Sequence, residues 1–190
     1  TKRDHPRRTK HCSRGSTEPA GGNHDAGGEC GLLGLAFHPD SARTGQCFVC
    51  YSIRINDQLH QRLSRLIVKN DSVTEQPLIT QLDPAANHNG GDLHFGPDGY
   101  LYISVGDGGG QQDAFDNGRR IDKDFHAAIL RIDVDKKPGN PPPNAHPAIA
   151  LDASGAAFYS VPADNPFIGA TKHRGESIDP ITVRTEIYAT

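Results

Sequence analysis

The sequence predicts an all-β fold, and three observations carry that prediction. The apolar fraction is 35% while glycine (21 residues) and proline (14) are abundant, which suits short strands joined by elaborate loops and suits a helical bundle poorly. Several segments alternate polar and apolar residues, the two-residue period of a half-buried strand. One pattern also recurs: Leu35-Ala36-Phe37-His38-Pro39-Asp40 is echoed by Leu93-His94-Phe95-Gly96-Pro97-Asp98 at an offset of 58 residues.

Taken in order, residues 1–28 are polar and glycine-rich without periodicity and read as loop or disorder. The basic run Lys2, Arg3, Arg7, Arg8 and Lys10 within them reads as a solvated edge or a polyanion site, with no aromatic interleaved to favour the latter. Gly31 to Asp40 leads through a Pro-Asp turn into a strand at 46–54, and a second strand follows at 61–69. The second copy of the pattern leads into Tyr100-Leu101-Tyr102-Ile103-Ser104. In each turn proline presets the backbone and the aspartate side chain caps it. A further strand is expected at 127–135, and residues 136–156, with Pro138, Pro141 to Pro143 and Pro147, read as a long exposed connection. Only 39–43 and 111–125 have room for short helical turns, and the chain closes on a strand-like stretch, 185–190.

A strand, a Pro-Asp turn and a second strand recurring at this spacing is what four-stranded propeller blades produce. The alternative on this evidence alone is an ordinary β-sandwich with coincident hairpins. The length corresponds to about three blades, residues 29–190 forming a partial propeller domain. The absence of methionine, the opening at Thr1 and the close at Thr190 inside a strand lead to the expectation of a segment cut from a longer protein. Such a segment, with open strand edges, is expected to be poorly stable or aggregation-prone alone.

A formal charge of −3 is too small to argue for a nucleic-acid or membrane partner, no stretch approaches the length of a membrane span, and no signal peptide is visible. Of the cysteines 12, 30, 47 and 50, only Cys47 and Cys50 are spaced as a ligand pair. They lie three apart on a strand and so point to opposite faces, which favours buried thiols over zinc. A Cys12–Cys30 disulfide would suit an exported protein.

The densest polar cluster is Asn87-His88-Asn89-Gly90-Gly91-Asp92, just before a strand. A histidine on a glycine-rich turn at a strand end is accessible and titrates near neutrality, which suits a general base; a turn histidine bonding its own loop is the plainer reading. Asp107 ends the adjacent segment of the same hairpin, where a carboxylate would orient the imidazole. In the glycine- and aspartate-rich stretch that follows, Asp113, Asp116, Asn117 and Asp122 offer oxygen ligands to calcium, or form a solvated polar loop.

The run NHNGGDLHFGPDGYLYISVGDGG (87–109) resembles the signature of the glucose/sorbosone dehydrogenase family of soluble quinoproteins. So do GLLGLAFHPD at 31–40, ILRIDVD at 129–135, VPADNPF at 161–167 and the closing Glu-Ile-Tyr-Ala, which together span residues 29 to 189. The resemblance implies a six-bladed propeller, exported or periplasmic, that uses pyrroloquinoline quinone and calcium to oxidise an aldose or related alcohol and passes electrons to an external acceptor. It implies that His88 is the general base, that Asp107 positions it, and that Gln112 lies near the cofactor pocket. Glu29 matches a position that is a sugar-contacting glutamine in some members, a departure bearing on substrate choice. The family's Gly-x-Arg-Asn-Pro motif and its calcium ligands would follow Thr190. The chain as it stands is therefore expected neither to bind the quinone tightly nor to turn over, because the quinone's carboxylates need cationic partners. A non-catalytic propeller of the same family, used for adhesion or ligand capture, is the alternative function.

Overall fold

A computed structural model describes residues 22–24 and 28–190. The basic run and Cys12, with its suggested disulfide to Cys30, lie outside the described residues.

The strands form two antiparallel blades. In the first, β2 (Leu32–Phe37), β3 (Gln46–Ile55), β4 (Gln58–Lys69) and β5 (Ser72–Leu82) run in sequence order, and the short β1 (Gly22–His24) pairs with the far end of β3. β1 falls within the segment that the sequence reads as loop. In the second, β6 (Gly90–Phe95), β7 (Leu101–Val105) and β8 (Ala128–Ile132) are completed by β11 (Ile187–Ala189), which pairs with β8. The intervening chain carries a two-stranded hairpin, β9 (Lys172–His173) and β10 (Glu176–Ser177). A single helical turn, α1 (Ser41–Thr44), follows the first Pro-Asp pair, whereas residues 111–125 form turns and no helix.

The hairpins follow from local chemistry. Asn56 and Asp57 between β3 and β4, and Asn70 and Asp71 between β4 and β5, all have positive φ (50°, 63°, 48° and 61°). Two consecutive left-handed residues make the tight turn whose twist matches flanking strands, and Asn and Asp tolerate it best after glycine. This turn also explains a strand that sequence reading missed. β5 contains Pro77, which normally counts against a strand, but it is an edge strand here and Pro77 sits opposite Ser64 at a register shift.

The connection at 136–156 is less exposed than expected. Thr80 donates to Ala148 O (2.8 Å) and Ala150 to Leu78 O (3.0 Å), so this segment covers the β5 edge and buries Ala148 and Ile149. β8 is shorter than the expected 127–135 because Asp133, fully buried, turns the chain: its carboxylate accepts from Asn140 Nδ2 (2.8 Å) and Ser160 Oγ (3.0 Å).

The two blades meet face to face over one apolar core in which Phe48, Leu63 and Leu78 of the first pack with Leu101, Ile103 and Leu130 of the second. Cys50 belongs to this core and its thiol is pushed up to about 12 by burial, while Cys47 is buried on the other face, so the pair is not a metal site. At the centre β2 crosses β6 so closely that a Cβ on Gly34 would lie 2.1 Å from the Gly91 carbonyl oxygen. Gly34→Ala is therefore expected to force the blades apart and cost about 1–3 kcal/mol. A lowered denaturant midpoint for the variant, with unchanged slope, is the measurement that checks it.

Candidate functional site

The site is built at one end of the second blade, where the chain enters β6 and leaves β7. His88 occupies the left-handed region, φ 58°, two residues before β6. Gly106 follows β7, and its backbone presses against this turn: a Cβ there would meet His88 O at 1.6 Å, and its amide donates to Asn89 O (3.0 Å). Only glycine permits that approach. It carries the next residue, Asp107, to the imidazole, with Asp107 Oδ1 2.9 Å from His88 Nδ1.

Burial alone would raise the Asp107 carboxyl, but the Gly109 amide (3.0 Å) and His88 outweigh it and hold the group below the usual carboxylate range. An ionised carboxylate accepts, so the proton of the neutral ring is placed on Nδ1 and the lone pair on Nε2. Nε2 has no protein hydrogen-bond partner among the described residues, and the imidazole is 48% exposed. The arrangement is an oriented base with an open acceptor.

Glu29 joins the same place. Its carboxylate accepts the His88 N–H, its own N–H donates to Ala86 O (3.1 Å), and its carbonyl accepts from Asn89 Nδ2 (3.2 Å). The structure thus brings together Glu29, His88 and Asp107. Gln112 stands apart: it lines a cleft of about 980 Å³ together with Arg119, Arg120 and Arg174, and no hydrogen bond links it to His88 or Asp107.

Asn117 was suggested as a calcium ligand, but the structure gives it a supporting role. It is buried, donates to Asp107 O (2.7 Å) and accepts from Lys123 Nζ (2.7 Å). The other suggested ligands are also engaged within the loop. Asp113 Oδ1 accepts the Asn117 and Gly118 amides (both 2.9 Å), and Asp116 and Asp122 pair with Arg120 (3.1 and 2.8 Å). A cation site does not place Arg and Lys among its carboxylates, so these residues do not fit calcium. Among the described residues no three His, Cys, Asp or Glu side chains are grouped to hold a metal. Glu29, His88 and Asp107 themselves include no Lys or Arg to meet a quinone's carboxylates. The residues fit proton transfer at a hydroxyl; they do not supply a cradle for the cofactor.

Asp83, where β5 passes into the loop that leads to His88, is buried with neither carboxylate oxygen hydrogen-bonded. Burial pushes it up to about 6, against the opposing pull of His126. A carboxyl raised in the folded state takes up a proton on folding. Its contribution is full below the unfolded value of 3.8 and falls as pH rises to about 6. Asp83→Asn is expected to remove that fall, on the order of 1–3 kcal/mol, as read from melting temperatures of both proteins at pH 4 and pH 7.

Among the described residues no helix is long and apolar enough to cross a membrane, which leaves β-barrels unaddressed. Hedgehog-interacting protein of mouse and of human is 32% identical over 164 residues, which is 79% of this chain and 21% of that protein. Quinoprotein glucose dehydrogenase B of Acinetobacter calcoaceticus is 30% identical over 101 residues, 48% of this chain and 21% of that protein. The chain thus spans about a fifth of the length of these curated relatives. The soluble aldose sugar dehydrogenase of Escherichia coli, in its apo form, superposes with a TM-score of 0.57 at 24% identity, covering 90% of this chain and 41% of the other. That likeness establishes the fold, and the two blades are a portion of a β-propeller. The family model for glucose/sorbosone dehydrogenase matches residues 10–152, and the chain belongs to that family.

Proposed function

We propose that this chain carries the catalytic base of a quinone-dependent dehydrogenase that oxidises an aldose or related alcohol. The observation supporting this most strongly is the His88–Asp107 pair, a base with its Nδ1 occupied and its Nε2 open, on a propeller of the sugar dehydrogenase family. In this reading the substrate hydroxyl donates its proton to His88 Nε2, and Asp107 stabilises the imidazolium that forms. Pyrroloquinoline quinone with its calcium would supply the hydride acceptor. The cationic partners of the quinone and the calcium ligands come from outside the described residues. The family resemblance would put Gln112, in its separate cleft, near the cofactor and Glu29, whose carboxylate accepts the His88 N–H, near the substrate. An external acceptor takes the electrons, and the protein works in the periplasm or outside the cell.

A second reading is a non-catalytic binding module, favoured by the 32% identity to Hedgehog-interacting protein over 79% of the chain. Reconstituting the full-length protein with quinone and calcium and assaying dye-linked oxidation over a sugar and alcohol panel separates the two. Quinone-dependent turnover supports the dehydrogenase. No turnover together with no quinone binding moves the assignment to the binding module.

A further inference from the structure

We propose that Glu29 is a positioning residue for the base, acting on the backbone of His88 rather than on a sugar. A non-glycine residue in the left-handed region is held there by its surroundings, and His88, at φ 58°, is such a residue. Gly106 braces the turn from one side through its amide to Asn89 O. The other side is braced by Glu29 alone among the described residues that bond to His88 N–H. Its three contacts, from carboxylate to His88 N–H, from amide to Ala86 O and from carbonyl to Asn89 Nδ2, bracket residues 86–89 with a segment about sixty positions earlier in the chain.

Two carboxylates therefore act on one histidine. Asp107 fixes the ring through Nδ1, and Glu29 fixes the peptide that carries the ring. The His88 N–H donates to a Glu29 side-chain oxygen, and that bond helps hold the turn in its left-handed conformation. Misplacing a base by about 1 Å is enough to cost roughly 10²-fold in rate. With one oxygen committed to the His88 amide, Glu29 spends its geometry on the base, and its loss should appear in turnover and not in substrate affinity.

The activity arm of the test rests on the dehydrogenase reading; a hydrogen-exchange arm does not. In the full-length protein, Glu29→Ala is expected to lower kcat by about tenfold to 10²-fold with KM within about twofold. Glu29→Gln, which keeps an acceptor oxygen, should recover most of kcat. Deuterium uptake of a peptide spanning residues 84–92 should rise in Glu29→Ala and stay near the parent rate in Glu29→Gln. A raised KM with unchanged kcat in both variants would make Glu29 a sugar contact and overturn the proposal. If the protein turns out to lack dehydrogenase activity, uptake decides alone: unchanged exchange in Glu29→Ala overturns the positioning role, and raised exchange upholds it for the turn. Glu29→Gln also answers the case in which the alanine variant fails to fold, since matching the parent in both uptake and kcat supports the role and a raised KM opposes it.

Discussion

His88→Ala in the full-length, quinone-reconstituted protein is expected to lower kcat by about 10²–10⁴-fold, the range that a positioned general base contributes. The imidazole makes one side-chain hydrogen bond, to Asp107, and is half exposed, so its removal should leave the melting temperature nearly unchanged. That separation of rate from stability distinguishes a base from a turn histidine that merely bonds its own loop. Asp107→Asn should give a smaller loss of rate. The amide can no longer stabilise the imidazolium, and it can present its N–H to Nδ1, turning the ring proton to Nε2 where the substrate needs a lone pair. Steady-state kinetics of the three proteins beside their melting curves check the prediction. Equal kcat in parent and His88→Ala would remove the catalytic assignment.

The largest expected loss of stability is at Arg131, away from the site. Its guanidinium is buried and makes bonds to Asp98 Oδ2 (2.9 and 3.1 Å), Asp164 Oδ1 (2.7 Å) and Asn165 Oδ1 (3.2 Å). It also lies over the rings of Tyr100 and Tyr188, 4.6 and 5.3 Å from their centroids. Through these contacts it joins the second Pro-Asp turn to the 161–167 segment and to β11, and so closes the second blade. Arg131→Ala would leave the buried Asn165 Oδ1 without a partner and remove the charge that faces Asp98, which keeps its bonds from Tyr102 and Tyr100, and is expected to cost about 2–4 kcal/mol. Arg131→Lys should recover only part, since an ammonium cannot reproduce the planar fork or the ring stacking. Asp164→Asn should cost below about 1 kcal/mol because that carboxylate is 75% exposed. Denaturant midpoints of the three variants give the ranking, and an Arg131→Ala midpoint equal to the parent's would refute it.

The route from sequence to site was partly open. His88 and Asp107 were legible because each sits beside glycines at a strand end, and a hairpin of short reach brings its two ends together whatever surrounds it. The sequence left the Asp-rich loop open between calcium and a solvated polar loop for a definable reason: acidic spacing alone does not reveal that Arg120 and Lys123 fold back into the same loop. The missed β5 had a signal, the Asn70-Asp71 turn following β4, that Pro77 obscured. Glu29 was legible through resemblance only as the counterpart of a sugar-contacting glutamine, and its hydrogen bond to the His88 amide had no local trace.

The sequence by itself determined the all-β class, the repeated strand and Pro-Asp turn that make a blade, and the pairing of His88 with Asp107. These are properties of period-two patterning, of turn chemistry and of contacts within one hairpin, all of short range along the chain. Only the tertiary structure decided that β11 returns across more than fifty residues to complete the second blade. It likewise decided that Arg131 is buried under three acceptor side chains, that residues 148–150 cover the β5 edge, and that Glu29 clasps the turn that carries His88. Contacts between distant segments depend on which surfaces the packed blades bring together, and no local periodicity encodes them.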